Sequence, residues 1–285
     1  MKNLKVYTKY FVSNIISNTS SLMNRNNFNS VTVLMLHNIS RNNFKNFKEL
    51  IINIAKEYNF LTRDEFHLFL NGELDLKAKT LLLTFDDGFY SNFLIAKEIL
   101  DPLDIKAIFF VLPGFIDCSS NKEQVSFVVD SIYSGRPPSD IRRAEMVPMG
   151  WNHLSELINN GHSIGSHTYN HYRLSEIMEN DLLEREIIRA GNYLENKLGV
   201  EIQDFAYPFG NIDSINQDAM AIVKQRYKYI YSGVRGSNLW NTDPAALKRE
   251  VINITDSIKY NLSIISGGLS PFYYNHRRQL DLMIK

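Results

Sequence analysis

The sequence predicts an α/β protein whose strands form a closed or nearly closed β/α barrel, with a doubly wound open sheet as the alternative. Three observations lead there. Continuous apolar runs of strand length recur along the chain, the pattern of strands buried on both faces. Segments with apolar residues at helical spacing separate those runs. About seven such units fit within the 285 residues. Parallel strands with helices outside satisfy this alternation, and they place ligand-binding groups just past the carboxyl ends of the strands.

The elements follow in order. Residues 1–30 form an N-terminal leader or helix. Lys2, Lys5 and Lys9 precede an apolar stretch that Ser13, Asn14, Ser17 and Asn18 interrupt. It therefore lacks the roughly 7–15-residue apolar centre of an export signal and the roughly 20 apolar residues of a membrane span. Val6, Tyr10, Ile15 and Ile16 can share one face of an amphipathic helix, the alternative being a packing helix or frayed end. Residues 31–36 (VTVLML) are the first strand, ending at His37. Phe47, Leu50, Ile51 and Ile54 give residues 44–58 helical spacing. TLLLTF at 80–85 is the second strand, stopped by Asp86-Asp87-Gly88, with a helix at 89–100 and a third strand at 107–112 (AIFFVL). Residues 117–147, with Arg136-Pro137-Pro138 and a charged RRAE run, are an inserted excursion. A helix at 151–160, a strand at 162–166, a long charged helix at 174–198 and a strand at 204–207 come next. Residues 213–225, 229–232, 249–254 and 258–266 continue the alternation.

Composition narrows the function. Lys plus Arg and Asp plus Glu number 31 each, so the electrostatic footprint of a nucleic-acid-binding protein is missing. A 44% hydrophobic and 22% charged content excludes general disorder. The single Cys118 excludes an internal disulfide framework and a Cys-based zinc knuckle, and fits a reducing compartment.

Three segments carry chemistry, each at a strand end. Asp86 and Asp87 follow a buried strand directly; Asp at this place is either a turn or cap residue or a functional carboxylate. His167 and His171, four apart, can point the same way if the segment makes a helical turn. With a strand-end carboxylate they supply a His-His-Asp ligand set with open positions, as a catalytic metal requires. One carboxylate of the pair then remains free to act as a base. In Phe205-Ala206-Tyr207-Pro208-Phe209-Gly210, Pro208 fixes the backbone and Gly210 permits an unusual torsion, so a main-chain amide can face a ligand.

In this order the segments TFDDG (84–88), SHTYNH (166–171) and FAYPFG (205–210) resemble the three motifs of the polysaccharide deacetylases, the NodB-homology group or carbohydrate esterase family four. The resemblance covers roughly residues 31–254 and includes the lead-in WNHLSELINNGHSIGSHT (151–168). It implies a distorted (β/α)7 barrel, with 31–285 as a single catalytic domain carrying the excursion. It implies hydrolysis of an N-acetyl or O-acetyl group on a sugar, Asp86 as catalytic base, and a divalent metal on Asp87, His167 and His171. Zinc is the usual metal, with cobalt, nickel, manganese or iron as family alternatives. The resemblance also implies a backbone amide near Phe209, in the Tyr207-Pro208-Phe209 turn, as oxyanion donor.

The chain departs from that pattern twice. Ala206 and Tyr207 stand where many members keep an Arg that orients the base; Arg249, in the late strand, is the substitute expected from another strand. The fifth motif's Leu-x-His is missing from LSIISGGLSPFYYNH, which leaves His37, at the end of the first strand, and His276 as candidate acids. Trp240, Phe272, Tyr273 and Tyr274 are expected mainly in the core, with a sugar platform as the other use. The resemblance implies an acetylated sugar or polysaccharide precursor as substrate, not nucleic acid, and the FAYPFG variant looks similar to deacetylases found with bacterial surface-polysaccharide synthesis. A cytoplasmic location with loose contact to the inner membrane through the N-terminus fits the basic leader. The alternatives are a deformylase or other deacylase of a lipid-linked amino sugar, and a non-catalytic carbohydrate-binding barrel that keeps the metal.

Overall fold

The structure is a computed structural model describing residues 28–135 and 142–285. The leader readings on 1–27 and the Arg136-Pro137-Pro138 segment lie outside the described residues.

Nine strands are present among them: β1 Ser30–Leu36, β2 Asn59–Phe60, β3 Thr80–Phe85, β4 Ala107–Val111, β5 Ser163–Ser166, β6 Asp204–Ala206, β7 Tyr229–Tyr231, β8 Asn238–Leu239 and β9 Glu250–Val251. Their order is β7-β6-β5-β4-β3-β1-β8, with β2 on β3 and β9 on β1. The neighbours from β1 through β7 are parallel. The segment ending in β9 closes the ring. At one edge the Leu247 N–H donates to Ile230 O (3.0 Å) and the Ser232 N–H donates to Leu247 O (2.8 Å). At the other edge Leu34 and Met35 pair with Glu250 and Val251. The predicted barrel is thus observed, and it is distorted because its last stave holds only two paired residues. That stave is shorter than the expected 249–254, because Asn253 Oδ1 accepts the Thr255 N–H (3.0 Å) and turns the chain.

Strand alternation divides the side chains between two cores. Leu34, Leu36, Leu81, Leu83, Phe85, Phe109, Val111, Ile164, Phe205 and Ile230 face outward under the helices. Val31, Val33, Leu82, Ile108, Phe110, Ala206, Tyr229, Tyr231 and Leu247 fill the lumen. Gly165 lies where a Cβ would stand 2.5 Å from the Phe110 ring, so only glycine lets that ring occupy the lumen. The same parity, continued past the strand ends, turns residues 37, 86 and 167 inward at one mouth, and Arg249, just ahead of β9, points into the lumen and reaches Asp86.

The helices cover the outside. Phe44–Ile54 buries Phe44, Phe47, Leu50, Ile51 and Ile54, the spacing read from the sequence, and each large apolar side chain contributes about 1.5–3 kcal/mol on burial. A helix the sequence reading passed over, Arg63–Leu70, starts at a Thr62/Glu65 capping box. It packs Phe66, Phe69 and Leu70 into the lumen cluster. The expected helix over 174–198 is broken into a short turn at Leu174–Glu176 and a helix from Asn180, with extended backbone at Ile177 and Glu179 between them. Ile177 is buried in the outer core, which favours that break over a continuous charged helix. The chain ends in the helix Tyr274–Met283, which buries Leu280 and lies beyond the alternation read from the sequence.

The described part of the excursion is largely helical. Pro113–Ile116 and Asn121–Phe127 enclose, with Phe89, Leu112, Phe115, Val128, Ile132 and Met146, a small core of their own. It is tied to the end of β3 by the Tyr90 N–H donating to Val147 O (2.8 Å) and the Met149 N–H donating to Gly88 O (2.9 Å).

Candidate active site

Register brings the motifs together. Leu36 pairs with Phe85, so β1 and β3 end side by side, and the Asp86 N–H donates to Leu36 O (2.8 Å). Val111 pairs with Ser166, and the His167 N–H donates to Val111 O (3.0 Å). Asp86, Asp87 and His167 therefore leave adjacent strands at the same mouth. Among the described residues six non-glycine residues have positive φ, and four are Asp87, Thr168, His171 and Phe209. Such backbone costs of order 1–3 kcal/mol per residue and concentrates at functional sites.

Asp87, His167 and His171 are buried, and one ligand atom from each lies within 4.8 Å of the others. Asp87 Oδ1 stands 3.5 Å from Nε2 of both histidines and has no hydrogen-bond partner among the described residues. Each histidine turns Nδ1 to a backbone carbonyl: His167 to Ala206 O (2.6 Å) and His171 to Ser131 O (3.1 Å). A donor at Nδ1 leaves the Nε2 lone pairs aimed at the carboxylate oxygen in the neutral rings. Three lone pairs converging on one point form a donor set that suits a cation. Ligands about 2.0–2.1 Å from a tetrahedral ion stand about 3.3–3.4 Å apart, so the 3.5 Å separations suit one. Without such an ion, burial pushes the Asp87 carboxyl up, but the surrounding imidazoles bring it down to about 2. Burial, helped by the neighbouring His167, brings His171 down to about 4. Burial acts against the charge on His167 too, yet Asp87 and Asp86 raise its pKa above the ordinary value.

Asp86 is in a different setting. Its oxygens accept Nη1 and Nη2 of Arg249 at 2.7 and 2.9 Å. Arg249, fully buried, also donates Nη1 to Thr84 Oγ1 (3.2 Å) and Nε to Ser232 O (2.9 Å) and lies over the Phe110 ring. Burial would raise the Asp86 carboxyl, but Arg249 first, then His167 and His37, hold it below its ordinary range. Asp86 is ionised and oriented.

The remaining expected residues are placed as follows. His37 is exposed at the mouth, close enough for its charge to act on both carboxylates. Tyr207 is buried in the outer core and Pro208 is buried beside it, while the Phe209 ring lies 4.8 Å from that of His171. Arg173 stacks on Phe209 at 4.5 Å and donates to Ser214 Oγ (3.0 Å). His276 sits exposed on the C-terminal helix against Tyr273, and no contact joins it to the site among the described residues. Trp240, Phe272 and Tyr274 are exposed, contrary to the expectation of core packing. Trp240 follows β8, which pairs with Ser30 and Val31 at the opposite end of the barrel from the mouth.

Two contributions have no counterpart in the sequence reading. The Ser131 carbonyl comes from the excursion, which thereby orients His171. Glu186, fully buried, accepts the N–H groups of Tyr169 (3.1 Å) and Asn170 (2.7 Å). A glutamate inside the run EREIIRA reads as a solvated helix face, so only packing distinguishes it.

Fold and site define a β/α barrel with a buried Asp-His-His group able to hold a metal, beside an arginine-held carboxylate. The chain belongs to the polysaccharide deacetylase family, whose profile, described as polysaccharide deacetylase, matches residues 73–228. Membership indicates a hydrolase acting on a carbohydrate amide or ester. The match contains both aspartates and both histidines, whereas His37 and Arg249 lie outside it. Among solved structures the chain is similar to the Streptococcus pyogenes deacetylase PplD in complex with acetate, at 22% identity and TM-score 0.65 over 83% of this chain and 98% of that one. It is also similar to IcaB from Ammonifex degensii, at 22% and 0.63 over 84% and 97%. For the BpsB deacetylase domain from Bordetella bronchiseptica the values are 18% and 0.62 over 80% and 97%. At these identities the likeness shows the fold. A search of curated proteins found no match.

Proposed function

We propose that the protein is a metal-dependent hydrolase that removes an N-acetyl or O-acetyl group from a sugar, with zinc the ion its donor set suits best. The observation that carries this reading is the division of labour between adjacent carboxylates: Asp87 faces two imidazoles with an oxygen unpartnered among the described residues, while Asp86 is locked by Arg249. A purely structural metal needs no second, ionised carboxylate at its side, which weighs against a non-catalytic barrel. A cation on Asp87, His167 and His171 would polarise the acyl carbonyl and lower the pKa of water. Asp86 takes the proton from the attacking water. The backbone amide at Phe209 is the candidate donor to the developing oxyanion. An amide nitrogen does not depart as an anion, so His37, at the mouth, delivers the proton to the leaving amine.

The setting we favour is bacterial surface-polysaccharide synthesis on the cytoplasmic side of the inner membrane. Lys2, Lys5 and Lys9 beside Val6, Tyr10, Ile15 and Ile16 support contact with an anionic surface. Flotation with anionic vesicles tests it; protein found only in the soluble fraction would remove that part. For the chemistry, metal content and acetate release from a panel of acetylated amino sugars are measured for wild type and Asp86→Asn. The expected result is about one metal per chain in both proteins and acetate release in wild type alone. Metal without release of acetate or formate would return the reading to a binding protein, and no metal after reconstitution would end it.

A further inference from the structure

His171 is carried by a turn that the chain does not adopt cheaply. Thr168 and His171 both have positive φ (70° and 64°), and neither is glycine. Three restraints hold the turn. Thr168 Oγ1 accepts the His171 N–H (3.0 Å). Tyr169 O accepts the Gly114 N–H (3.0 Å), and a Cβ on Gly114 would stand 2.6 Å from Asn170 Oδ1, so the loop after β4 fits against it closely. The third is Glu186. Its Oε2 accepts the N–H groups of Tyr169 and Asn170, and its Oε1 accepts Asn170 Nδ2 at 2.8 Å. The carboxylate is fully buried, and half-exposed Arg185 stands 4.0 Å away, so N–H donors rather than a close cation compensate the charge. Burying a charge in that way is costly, and an apolar side chain would serve helix packing better. Glu186 also lies in a wide π-type turn, Arg185–Arg189, of a kind frequent at functional sites.

We propose that Glu186 is a positioning residue for the metal-binding turn: its carboxylate holds residues 169 and 170 in the conformation that brings His171 Nε2 to Asp87. It touches neither metal nor substrate, and sets the affinity and coordination of the site through the backbone. This rests on reading Asp87, His167 and His171 as a cation site.

The test titrates Co²⁺, followed by its visible absorption, and Zn²⁺, by competition with a chromophoric chelator, into metal-free wild type, Glu186→Gln, His171→Ala and Asn170→Asp. The double variant Glu186→Gln/Asn170→Asp completes the set. In the double variant the carboxamide introduced at position 186 can accept both backbone N–H groups through its carbonyl, while its amide donates to the carboxylate introduced at position 170. Every donor is then matched again. Thermal unfolding of each metal-free protein is read alongside. The expected result is about 10-fold or more weaker binding in Glu186→Gln, typical for groups that orient metal ligands, with a cobalt spectrum displaced toward that of His171→Ala. The double variant recovers most of the affinity and the wild-type spectrum. Wild-type affinity and spectrum in Glu186→Gln overturn the proposal while leaving the site intact. Failure of wild type to bind either ion overturns the site itself. If Glu186→Gln does not fold, the double variant against Asn170→Asp decides: recovery supports the role, and equal affinities in both refute it.

Discussion

Replacing Arg249 with alanine tests the reasoning about the base most sharply. The guanidinium makes four hydrogen bonds inside the barrel: two to Asp86 and one each to Thr84 Oγ1 and Ser232 O. Both charges are buried, so removing one leaves an uncompensated carboxylate, and the expected destabilisation is about 3–5 kcal/mol. In the wild type the folded carboxyl of Asp86 lies below its ordinary value. Its contribution to stability is therefore present above the unfolded carboxyl value of about 3.9 and is lost as pH falls through the folded one. Without Arg249, burial dominates and the folded carboxyl rises above its unfolded value, so the sign reverses. The variant is then relatively more stable at low pH and weakens as pH rises. Turnover follows the same group: the acid limb of kcat/KM for acetate release moves to higher pH, and near neutrality the rate falls by about 10²–10⁴, the usual contribution of a positioned base. Urea denaturation at two pH values and a pH–rate profile of the zinc-loaded enzyme measure both effects. A variant with wild-type turnover and an unmoved acid limb would refute the assignment of Arg249 as the group that holds Asp86.

Two further expectations concern protons. If His37 protonates the leaving amine, His37→Ala slows release of acetate from an N-acetyl sugar by about 10²–10⁴ but barely slows hydrolysis of an activated aryl acetate; equal losses on both substrates would assign the imidazole to binding. Because Asp87 and Asp86 hold the His167 pKa up while His171 is already neutral near pH 7, protons that metal entry displaces come from His167 rather than His171. Zinc affinity then falls as pH drops below the raised His167 value, and calorimetry in two buffers of different ionisation enthalpy gives the proton count.

Much of the barrel was legible because its signals are local. TLLLTF ends at the residue where β3 ends, since the run of apolar side chains stops at two carboxylates that burial in the core would penalise. The helix Arg63–Leu70 carried a readable sign, the T-x-x-E capping box at Thr62 and Glu65, which was missed because its apolar stripe is short. Of the aromatic residues near the C-terminus only Tyr273 packs against the core, because composition does not say which side faces solvent: Phe272 and Tyr274 are exposed although Leu280 nearby is buried.

What the sequence determined by itself is the set of strand ends and the groups placed there. Continuous apolar runs and abrupt polarity change are properties of contiguous residues, so His37, Asp86, Asp87 and His167 could be assigned to one mouth before any contact was known. The pairing of Arg249 with Asp86 is expected from the departure at the third motif, and the structure realises it across 163 residues because the segment ending in β9 closes the ring between β7 and β1. The other partnerships were decided only by the tertiary structure. Ser131 meets His171 because the excursion folds back over the mouth, and Glu186 meets residues 169 and 170 because a helix packs beneath them. Each of these contacts satisfies a buried polar group, and which group needs a partner is defined only once the core has closed around it.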